Sequence, residues 1–487
     1  MSRYLYGATI QGIQKYIFQT QKLKDIIGAS ALVKQLCDKD FKPFVENEDN
    51  LIIHAAGNVK CIFDDESACR EAVLRYPKIV MEKAPGVTIS QAVVKFDGEY
   101  NSERVQELER KLHAQRNRPC KSLTLGGLAI ERSRTTGLPA VEIKEGKYLD
   151  EGTLKKQEAL KKEKVNKELM KALVGEDISH KDIPYDTEDL TDHNDWIAII
   201  HADGNGLGEV VAKIGKDGQT GDLKTFSKSL DDATIASAQR AYHHIEVLNE
   251  SEKQILPIRP IVIGGDDLTV ICRGDLAIPF VRAYLDAFEK KSEEKTGHKL
   301  TACAGIAFVK SSYPFSFGYE LAEALCGEAK KDAKSDEMRT KDGLAPSCLM
   351  FHKVQSSFVE DYATIKQKEL TPQKNHSLCF GPYYLRQEYV ESKERWTIDT
   401  LMDKAELLSK EDNNTIKTST RKWLSLMHED TDVAEQHSKR VLSLASTAKQ
   451  NLYLSLTEGK GRAEEEKRYP AYDVLALHTI MNQKTKD

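Results

Sequence analysis

One order of apolar segments occurs twice in this chain of 487 residues, and this repeat restricts the fold more than any other feature. The pattern of the first hundred residues predicts a strand, a helix, two strands joined by a short turn, a second helix and a fourth strand. These elements lie at 4–8, 10–20, 51–54, 59–63, 68–82 and 87–96. This is the element order of a ferredoxin-like domain. We expect the first helix to break at Gly28-Ala29-Ser30 and to restart with Ser30 as its cap.

The second copy begins at Trp196. Its first strand, Ile197–Ala202, is a nearly continuous apolar run, which is typical of a central strand that is buried on both faces. The later elements are predicted at 225–249, 258–263, 268–272, 276–291, 300–308 and 319–334. The fold class is therefore α+β, with two ferredoxin-like domains.

The remaining segments complete a four-part division of the chain. Seven lysines over 155–172 and eight acids over 176–195 indicate a solvated helix and a linker between the two copies. After residue 346 the pattern is mainly helical, clearest over 399–409, 416–428 and 433–456, with one strand-like run at 377–384. We therefore predict domains at 1–102, 103–194, 195–345 and 346–487, the last being a small helical bundle.

Charge and cysteine usage narrow the class of protein. The net charge of −5, from 76 acidic and 71 basic residues, excludes a uniformly basic nucleic-acid-binding surface but leaves a local basic groove open. No apolar run is long enough to cross a membrane, and the N-terminus lacks a secretory pattern, so we expect a cytoplasmic protein without a membrane partner. The nine cysteines are scattered without a CxxC pair, which predicts reduced thiols and no structural zinc.

The strongest chemical motif is IVIGGDDLTV, residues 261–270. Gly264 and Gly265 permit the positive φ of a tight hairpin turn, and Asp266 and Asp267 then place two carboxylates at its tip. A hard divalent cation relieves the repulsion between such carboxylates. Glycine and aspartate are also common turn residues, so this motif alone does not establish a function.

A second motif, HADGNGLG at residues 201–208, lies at the end of the predicted central strand. In a ferredoxin-like sheet this strand lies beside the hairpin, so Asp203 is expected next to Asp266 and Asp267. Three carboxylates from adjacent elements suit a site with two Mg²⁺ or Mn²⁺ ions for phosphoryl transfer. We therefore predict these aspartates as catalytic residues and metal ligands, with the carbonyl of Gly204 as a further ligand.

Glycine-rich backbone near these aspartates is predicted to bind the nucleotide phosphates. The predicted nucleotide-binding residues of the two motifs are Gly204, Asn205, Gly206, Gly208, Gly264 and Gly265. His201 is expected to be a structural histidine that packs within the sheet.

These motifs resemble the second palm domain of the large polymerase-like subunit of type III CRISPR effector complexes. The resemblance rests on HADGNGLG, IVIGGDDLTV and TACAGIA at 301–307, and it extends to 4–30 as the opening of a first palm domain. It implies a cyclase-like enzyme that makes cyclic oligoadenylates from ATP in antiviral defence. Lys330 and Lys334 resemble the phosphate-contacting helix lysines of nucleotidyl cyclases, although a solvated helix face explains them equally well.

Two features depart from the family. No His-Asp doublet of the family's HD nuclease is present, so we expect no DNA cleavage by such a domain. TTGLPAV at 135–141 resembles the family's zinc-bearing segment after loss of its cysteines, so no zinc is expected.

Three functions fit these observations. The first is a metal-dependent cyclase or oligonucleotide synthase that uses ATP or another NTP; the others are a nucleic-acid polymerase and a non-catalytic scaffold that holds RNA or partner subunits. The expected partners are an NTP, with ATP favoured, and then RNA, subunits of a CRISPR complex, or a second copy of the chain. The first palm has Gly57 and Asn58 where the second has Asp266 and Asp267, so we predict that it performs no chemistry.

Overall fold

The computed structural model describes most of the chain, with short gaps. It describes residues 2–20, 22–55, 57–98, 100–118, 127, 129–161, 163–191, 195–208, 210–211, 214, 220–249, 254–356, 360–391, 394–461 and 466–481. Residues 119–126 and 128, which include Cys120, lie outside the described residues.

The first copy forms the predicted ferredoxin-like domain, here called palm one. Its elements are β1 (Arg3–Gln11), α1 (Ile13–Phe18), α2 (Leu23–Cys37), β2 (Leu51–Ala55), β3 (Asn58–Phe63), α3 (Glu66–Lys83) and β4 (Thr88–Phe96). The sheet order is β2-β3-β1-β4, with β1 antiparallel to both of its neighbours. The chain therefore has its first strand in the centre of the sheet, as the repeat predicts.

The predicted helix break at Gly28 is wrong, because α2 continues through this residue. Gly28 is a packing position: a Cβ added there would lie 2.0 Å from the backbone oxygen of Lys156. Ser30 does not cap a helix, since its hydroxyl donates a hydrogen bond of 2.5 Å to the carbonyl of Ile261. The glycine thus allows two helices to touch, and the serine joins palm one to the second copy.

The segment between the two copies packs onto palm one. Its elements are α4 (Ser102–Arg116), β5 (Ala140–Lys144), β6 (Lys147–Asp150), α5 (Glu151–Lys161) and α6 (Glu163–Val174). Leu108 and Leu112 of α4 cover one face of the palm-one sheet in a small apolar cluster of their own.

The expectation of a solvated basic helix is wrong for α5. Lys156 is only 1% exposed, and its ammonium donates a hydrogen bond of 2.6 Å to the carbonyl of Tyr16. Burial lowers the pKa of Lys156 to about 8, although Asp150 and Asp25 act against this shift. A count of lysines does not reveal that one of them faces inward.

The second copy, palm two, has the same topology. Its elements are β7 (Trp196–Asn205), α7 (Thr220–Leu248), β8 (Ile258–Gly264), β9 (Asp267–Arg273), α8 (Ala277–Thr296), β10 (Thr301–Lys310) and α9 (Phe315–Ala333). The central strand β7 lies between β10 and β9, and its residues 196–202 are buried. The prediction of two copies of one fold is confirmed.

The palm-two sheet crosses the predicted boundary at residue 345. The strands β11 (Cys348–Lys353) and β13 (Tyr383–Tyr384) extend it to six strands in the order β13-β11-β10-β7-β9-β8. β11 is parallel to β10, with Cys303 opposite Cys348. The four-part division remains a prediction, and these two strands tie its last two parts together.

The C-terminal part is mainly helical, as predicted. It contains α10 (Tyr362–Lys368), β12 (His376–Ser377), α11 (Gln387–Val390), α12 (Ile398–Ser409), α13 (Asn414–Glu429), α14 (Thr431–Leu444), α15 (Thr447–Thr457), β14 (Lys460–Gly461), β15 (Lys467–Arg468) and α16 (Ala471–Met481).

Two predictions for the C-terminal part differ from the structure. The helix predicted over 433–456 is two helices, separated at Ala445 and Ser446, because both residues have extended backbones. The strand predicted over 377–384 is reduced to its two ends, β12 (His376–Ser377) and β13 (Tyr383–Tyr384). Among the described residues, no helix combines the length and the apolar character that a membrane span requires.

Candidate functional site

The end of β7 positions Asp203. β7 and β9 are antiparallel, and Ala202 pairs with Leu268 of β9. The next position along this pair of strands therefore places Asp203 opposite Asp267. Side chains alternate along a strand, so His201 and Asp203 share one face of the sheet, as do Asp267 and Thr269. The fold thus brings two of the predicted carboxylates to one face at one end of the sheet.

The hairpin between β8 and β9 holds the other predicted carboxylate. Gly264 pairs with Asp267, which leaves Gly265 and Asp266 as a two-residue turn, and Gly265 has the positive φ of 61° that the motif predicts. Asp266 packs against Gly204, where an added Cβ would lie 2.9 Å from the Cβ of Asp266. Glycine at position 204 therefore permits the close approach between turn and strand end.

Two side chains of α7 fix the turn, and the sequence analysis missed both. The backbone N–H of Gly265 donates a hydrogen bond to Asp231, and the hydroxyl of Thr234 donates one of 2.6 Å to the carbonyl of Gly265. Both backbone groups of one turn residue are therefore held by the helix. Their distance in sequence, 31 residues or more, gave no signal that pairs them with the motif.

The electrostatics of the cluster disfavour the simultaneous ionisation of its carboxylates. Burial raises the pKa of Asp267 to about 7, and the neighbouring carboxylates of Asp203 and Asp266 add to the shift. Burial, followed by the charge of Asp203, raises the pKa of Asp266 to about 6. A bound divalent cation relieves this repulsion, which is why such clusters favour metal ions.

Lys330 of α9 supplies the positive charge that the cluster has in this structure. Its ammonium forms an ion pair with Asp203 and donates a hydrogen bond of 2.9 Å to the carbonyl of Gly204. Burial is the largest single effect and acts to lower the pKa of Lys330, but the hydrogen bond and the charge of Asp203, with smaller contributions from Cys326 and Cys303, together outweigh it, and the net shift is upward. The ammonium therefore contacts two of the predicted metal ligands.

The structure does not bring Lys334 to the same place. Lys334 is exposed at the C-terminal cap of α9, one turn beyond Lys330. The glycines predicted to contact phosphates differ in exposure to solvent. Gly206 and Gly208 are exposed, whereas Gly264 and Gly265 are partly buried in the hairpin.

Asn205 is committed to the sheet. Its amide donates hydrogen bonds of 3.1 Å to the hydroxyl of Thr301 and 3.3 Å to the thiol of Cys303, and the residue is only 5% exposed. Its predicted contact with phosphate is therefore restricted to its backbone.

His201 packs within the sheet, as predicted, but it also borders the carboxylates. Its Nδ1 lies 3.3 Å from the hydroxyl of Thr269, and its ring meets Tyr319 edge to face. Among the described residues, His201, Asp203 and Asp267 form a group whose ligand atoms all lie within 4.8 Å of one another. Burial lowers the pKa of His201 to about 4, so the imidazole is neutral at pH 7.

The two motifs, the ferredoxin-like sheet topology and the carboxylate cluster all occur within palm two. The family model for the second palm domain of Cas10/Cmr2 matches residues 196–339. Palm two is therefore similar to the second palm domain of this family.

Solved structures extend the similarity of fold beyond palm two. The chain is similar to the Csm1 subunit of Csm1–Csm4 cassettes in complex with pppApApA (TM-score 0.59), cA3 (0.58) and cA4 (0.56). Each match has 14% sequence identity and covers 99% of this chain, with 69%, 70% and 70% of the other chain, respectively. No curated protein sequence matches the chain.

Palm one repeats the backbone of palm two without its carboxylates. Gly12 and Gly206 follow the central strands with φ of 69° and 72°, and each carbonyl accepts a hydrogen bond from the backbone N–H four residues later. At the position of the pair Asp203 and Asp267, palm one has Thr9 paired with Asn58. The two side chains join by a hydrogen bond of 3.2 Å, which is a neutral contact.

Palm one contacts palm two close to the carboxylates. Gln14 of α1 donates hydrogen bonds of 3.1 Å to the hydroxyl of Tyr319 and 3.0 Å to the carboxylate of Glu323. Phe18 stacks on Tyr319 at 3.8 Å between ring centroids, and Tyr319 in turn contacts His201. The candidate site therefore lies where the two palms meet.

The residues of the cluster fit a divalent cation. Burial first, and then the neighbouring carboxylates, raise the pKa values of Asp266 and Asp267, so a bound cation would favour their ionised forms. Carboxylate oxygens and a backbone carbonyl are the ligands that Mg²⁺ and Mn²⁺ prefer, whereas an imidazole ligand favours later transition metals. Asp203, Asp266, Asp267 and the Gly204 carbonyl are thus the matching donor set for Mg²⁺ or Mn²⁺, with His201 as a neighbour.

Proposed function

We propose that this protein is a metal-dependent nucleotidyltransferase that joins nucleoside triphosphates, with ATP favoured, into cyclic oligonucleotides. The observation that carries the proposal is the cluster of Asp203, Asp266 and Asp267 at the strand end and hairpin of a Cas10/Cmr2 palm. The Csm1–Csm4 cassettes that share the fold were solved with pppApApA, cA3 and cA4, which are linear and cyclic products of this type.

The reaction joins a ribose hydroxyl of one nucleotide to the α-phosphorus of the next and releases pyrophosphate. Two Mg²⁺ or Mn²⁺ ions, when bound, activate the hydroxyl and offset the charge that develops on the triphosphate. Asp203, Asp266 and Asp267 would hold these cations. The exposed backbone of Gly206 and Gly208 offers N–H groups to phosphate oxygens. Lys330 forms an ion pair with Asp203. In this proposal its ammonium moves from Asp203 to a phosphate group when the nucleotide binds.

Palm one serves as a structural partner and does no chemistry in this proposal. Thr9 and Asn58 offer no anionic ligand where palm two has Asp203 and Asp267. Without carboxylates, the dehydration of a divalent cation has no compensation. Binding of phosphate groups by backbone N–H groups needs no carboxylate. The turn at Gly12 and the start of α1 are therefore proposed to face the palm-two site as an acceptor position for a second nucleotide.

We further propose that the protein works as a subunit of a CRISPR-type antiviral complex in the cytoplasm. The fold it shares with Csm1, which is paired with Csm4 in the solved cassettes, supports this assembly. RNA is then the expected activator, and a second copy of the chain is the alternative partner.

The test is product formation by the purified chain. It is incubated with each of the four labelled NTPs and Mg²⁺ or Mn²⁺, with and without RNA, and the products are separated by size and by resistance to phosphatase. Phosphatase-resistant oligoadenylates from ATP support the proposal. Linear extension of an added primer would instead identify a polymerase, and the absence of any product under every condition would identify a scaffold.

A further inference from the structure

A cavity lies at the end of the palm-two sheet that is opposite to the carboxylates. It has a volume of about 500 Å³, within the range of ligand sites, and its lining includes Trp196, Lys310, Ser312, Lys353 and Ser356. Trp196 begins β7, whereas Asp203 lies seven residues further along the same strand. At about 3.3 Å per residue, the two sites are separated by about 23 Å.

Two lysines meet over one aromatic ring at this cavity. The ammonium groups of Lys310 and Lys353 lie 4.4 Å and 4.7 Å from the centroid of the Trp196 ring. Lys310 ends β10 and Lys353 ends β11, so strand register brings both beside the start of β7. The electron-rich ring attracts each cation and holds the two like charges close together.

The charges around this pair are mainly positive. Burial lowers the pKa of Lys353, and the charges of Lys310 and Arg421 lower it further. Lys417, on the same helix α13 as Arg421, together with Arg421 lowers the pKa of the nearby His478 to about 4, after the larger effect of burial. Within the described part of the chain, the acid that pairs with this set is Asp195, which lies 4.0 Å from Lys310 with its side chain 74% exposed. Among the described residues, Lys353 forms no ion pair within 4 Å.

The start of α9 lies beside the same cavity. Pro314 lines it, and this residue is the N-cap of a helix of 19 residues that has neither a side-chain cap nor an acidic residue in its first turn. The N-terminal end of a helix favours negative charge. Lys310, Lys353 and Ser312 line the same cavity as this helix end.

We propose that this cavity, bounded by Trp196, Lys310 and Lys353, binds the phosphate groups of a single-stranded RNA. The cations are spread over β10, β11 and α13 and form a track, which matches successive phosphates of a strand rather than one compact triphosphate. Trp196 is only 6% exposed, so its ring does not stack with bases. Binding is therefore independent of base sequence and sensitive to salt. This site is separate from the proposed catalytic centre.

The test compares Lys310→Ala/Lys353→Ala in the full chain with the wild type. Binding of a fluorescein-labelled 12-nucleotide oligo-U and of a mixed-sequence 12-mer is followed by fluorescence anisotropy at several NaCl concentrations. Loss of two phosphate contacts is expected to weaken the binding of both strands equally and to reduce the slope of log affinity against log salt by about 1.4. Thermal unfolding of each variant establishes that it is folded.

The matched control is Lys290→Ala/Lys439→Ala, which removes two exposed lysines that pair with Asp286 and Glu435 elsewhere on the surface. It is expected to keep the wild-type salt slope. Equal slopes and affinities for both double variants would overturn the proposal. Displacement of the Lys310- and Lys353-dependent binding by saturating ATP would also overturn it, because the cavity would then hold a nucleotide. Asp266→Ala/Asp267→Ala is expected to retain RNA binding. This variant therefore distinguishes failure of the RNA site from failure of the proposed catalytic function.

Discussion

Lys330 and Gly204 are joined by a hydrogen bond of 2.9 Å, from the ammonium of the lysine to the carbonyl oxygen of the glycine. The same ammonium forms an ion pair with Asp203. A cation of the protein therefore contacts two groups that are proposed to hold a metal ion. Ammonium and metal compete for these oxygens, so occupancy of the site requires Lys330 to move.

This competition predicts that Lys330→Ala strengthens the binding of the metal ion and weakens the binding of the nucleotide. Removal of the ammonium is expected to tighten Mn²⁺ binding several-fold, measured by calorimetry without nucleotide, because a competing cation is lost. The same variant is expected to require more NTP for half-maximal rate, since a charge-assisted contact with phosphate is lost. Lys334→Ala is the control and should change neither quantity. Weaker Mn²⁺ binding by Lys330→Ala would contradict this account.

The hydrogen bonds to Gly265 predict a positioning role for Asp231. Asp231→Ala removes the acceptor for the turn N–H and is expected to lower kcat or metal affinity by about 10- to 100-fold, as loss of groups that support metal ligands does. Asp231→Asn retains an acceptor oxygen and should restore most of the activity. Asp232→Ala is the control, because this neighbour is exposed. If Asp231→Asn is as impaired as Asp231→Ala, the role assigned to the hydrogen bond is incorrect.

Close packing at Gly28 predicts a loss of stability far from the site. Gly28→Ala brings a Cβ to 2.0 Å from the backbone oxygen of Lys156, and forced overpacking costs about 1–3 kcal/mol. Thermal unfolding should show a lower melting temperature. Gly327→Ala, also within a helix but with open space around the new Cβ, should be neutral or stabilising by up to about 1 kcal/mol. Equal melting temperatures for the two variants would contradict the packing argument.

Asp473 of α16 predicts a dependence of stability on pH. Burial raises its pKa from 3.8 to about 7, even though the hydroxyl of Tyr383 donates a hydrogen bond of 2.6 Å to it. Between these values the folded state binds more protons than the unfolded state, so the free energy of unfolding falls as the pH rises from about 4 to 7. Each unit of the pKa difference corresponds to about 1.4 kcal/mol.

Asp473→Asn keeps an acceptor oxygen but removes the titration. The melting temperature of the wild type should therefore fall more between pH 5 and pH 8 than that of Asp473→Asn, measured by calorimetry in matched ionic strength. Parallel pH profiles for the two proteins would show that Asp473 does not titrate in this range.

The sequence predicts the repeat, the topology and the meeting of Asp203 with Asp267, because periodicity and strand order determine which residues share a sheet end. It does not predict contacts that depend on packing between distant segments. Lys156 is an example, since its burial depends on how α5 crosses α2 at Gly28. The hydrogen bond of Thr234 to the hairpin and the placement of Lys330 on Asp203, 127 residues away, belong to the same class.

The most direct test of the central claim is the rate of NTP turnover by Asp266→Ala/Asp267→Ala. Loss of a positioned metal removes several kcal/mol of transition-state stabilisation, so the rate of pyrophosphate release from ATP with Mg²⁺ or Mn²⁺ should fall by about 10³-fold or more. The fold should persist, since both residues lie at a hairpin tip. Asp336→Ala/Asp342→Ala removes two exposed aspartates from the same domain and should keep the wild-type rate. Turnover by Asp266→Ala/Asp267→Ala at the wild-type rate would contradict the account.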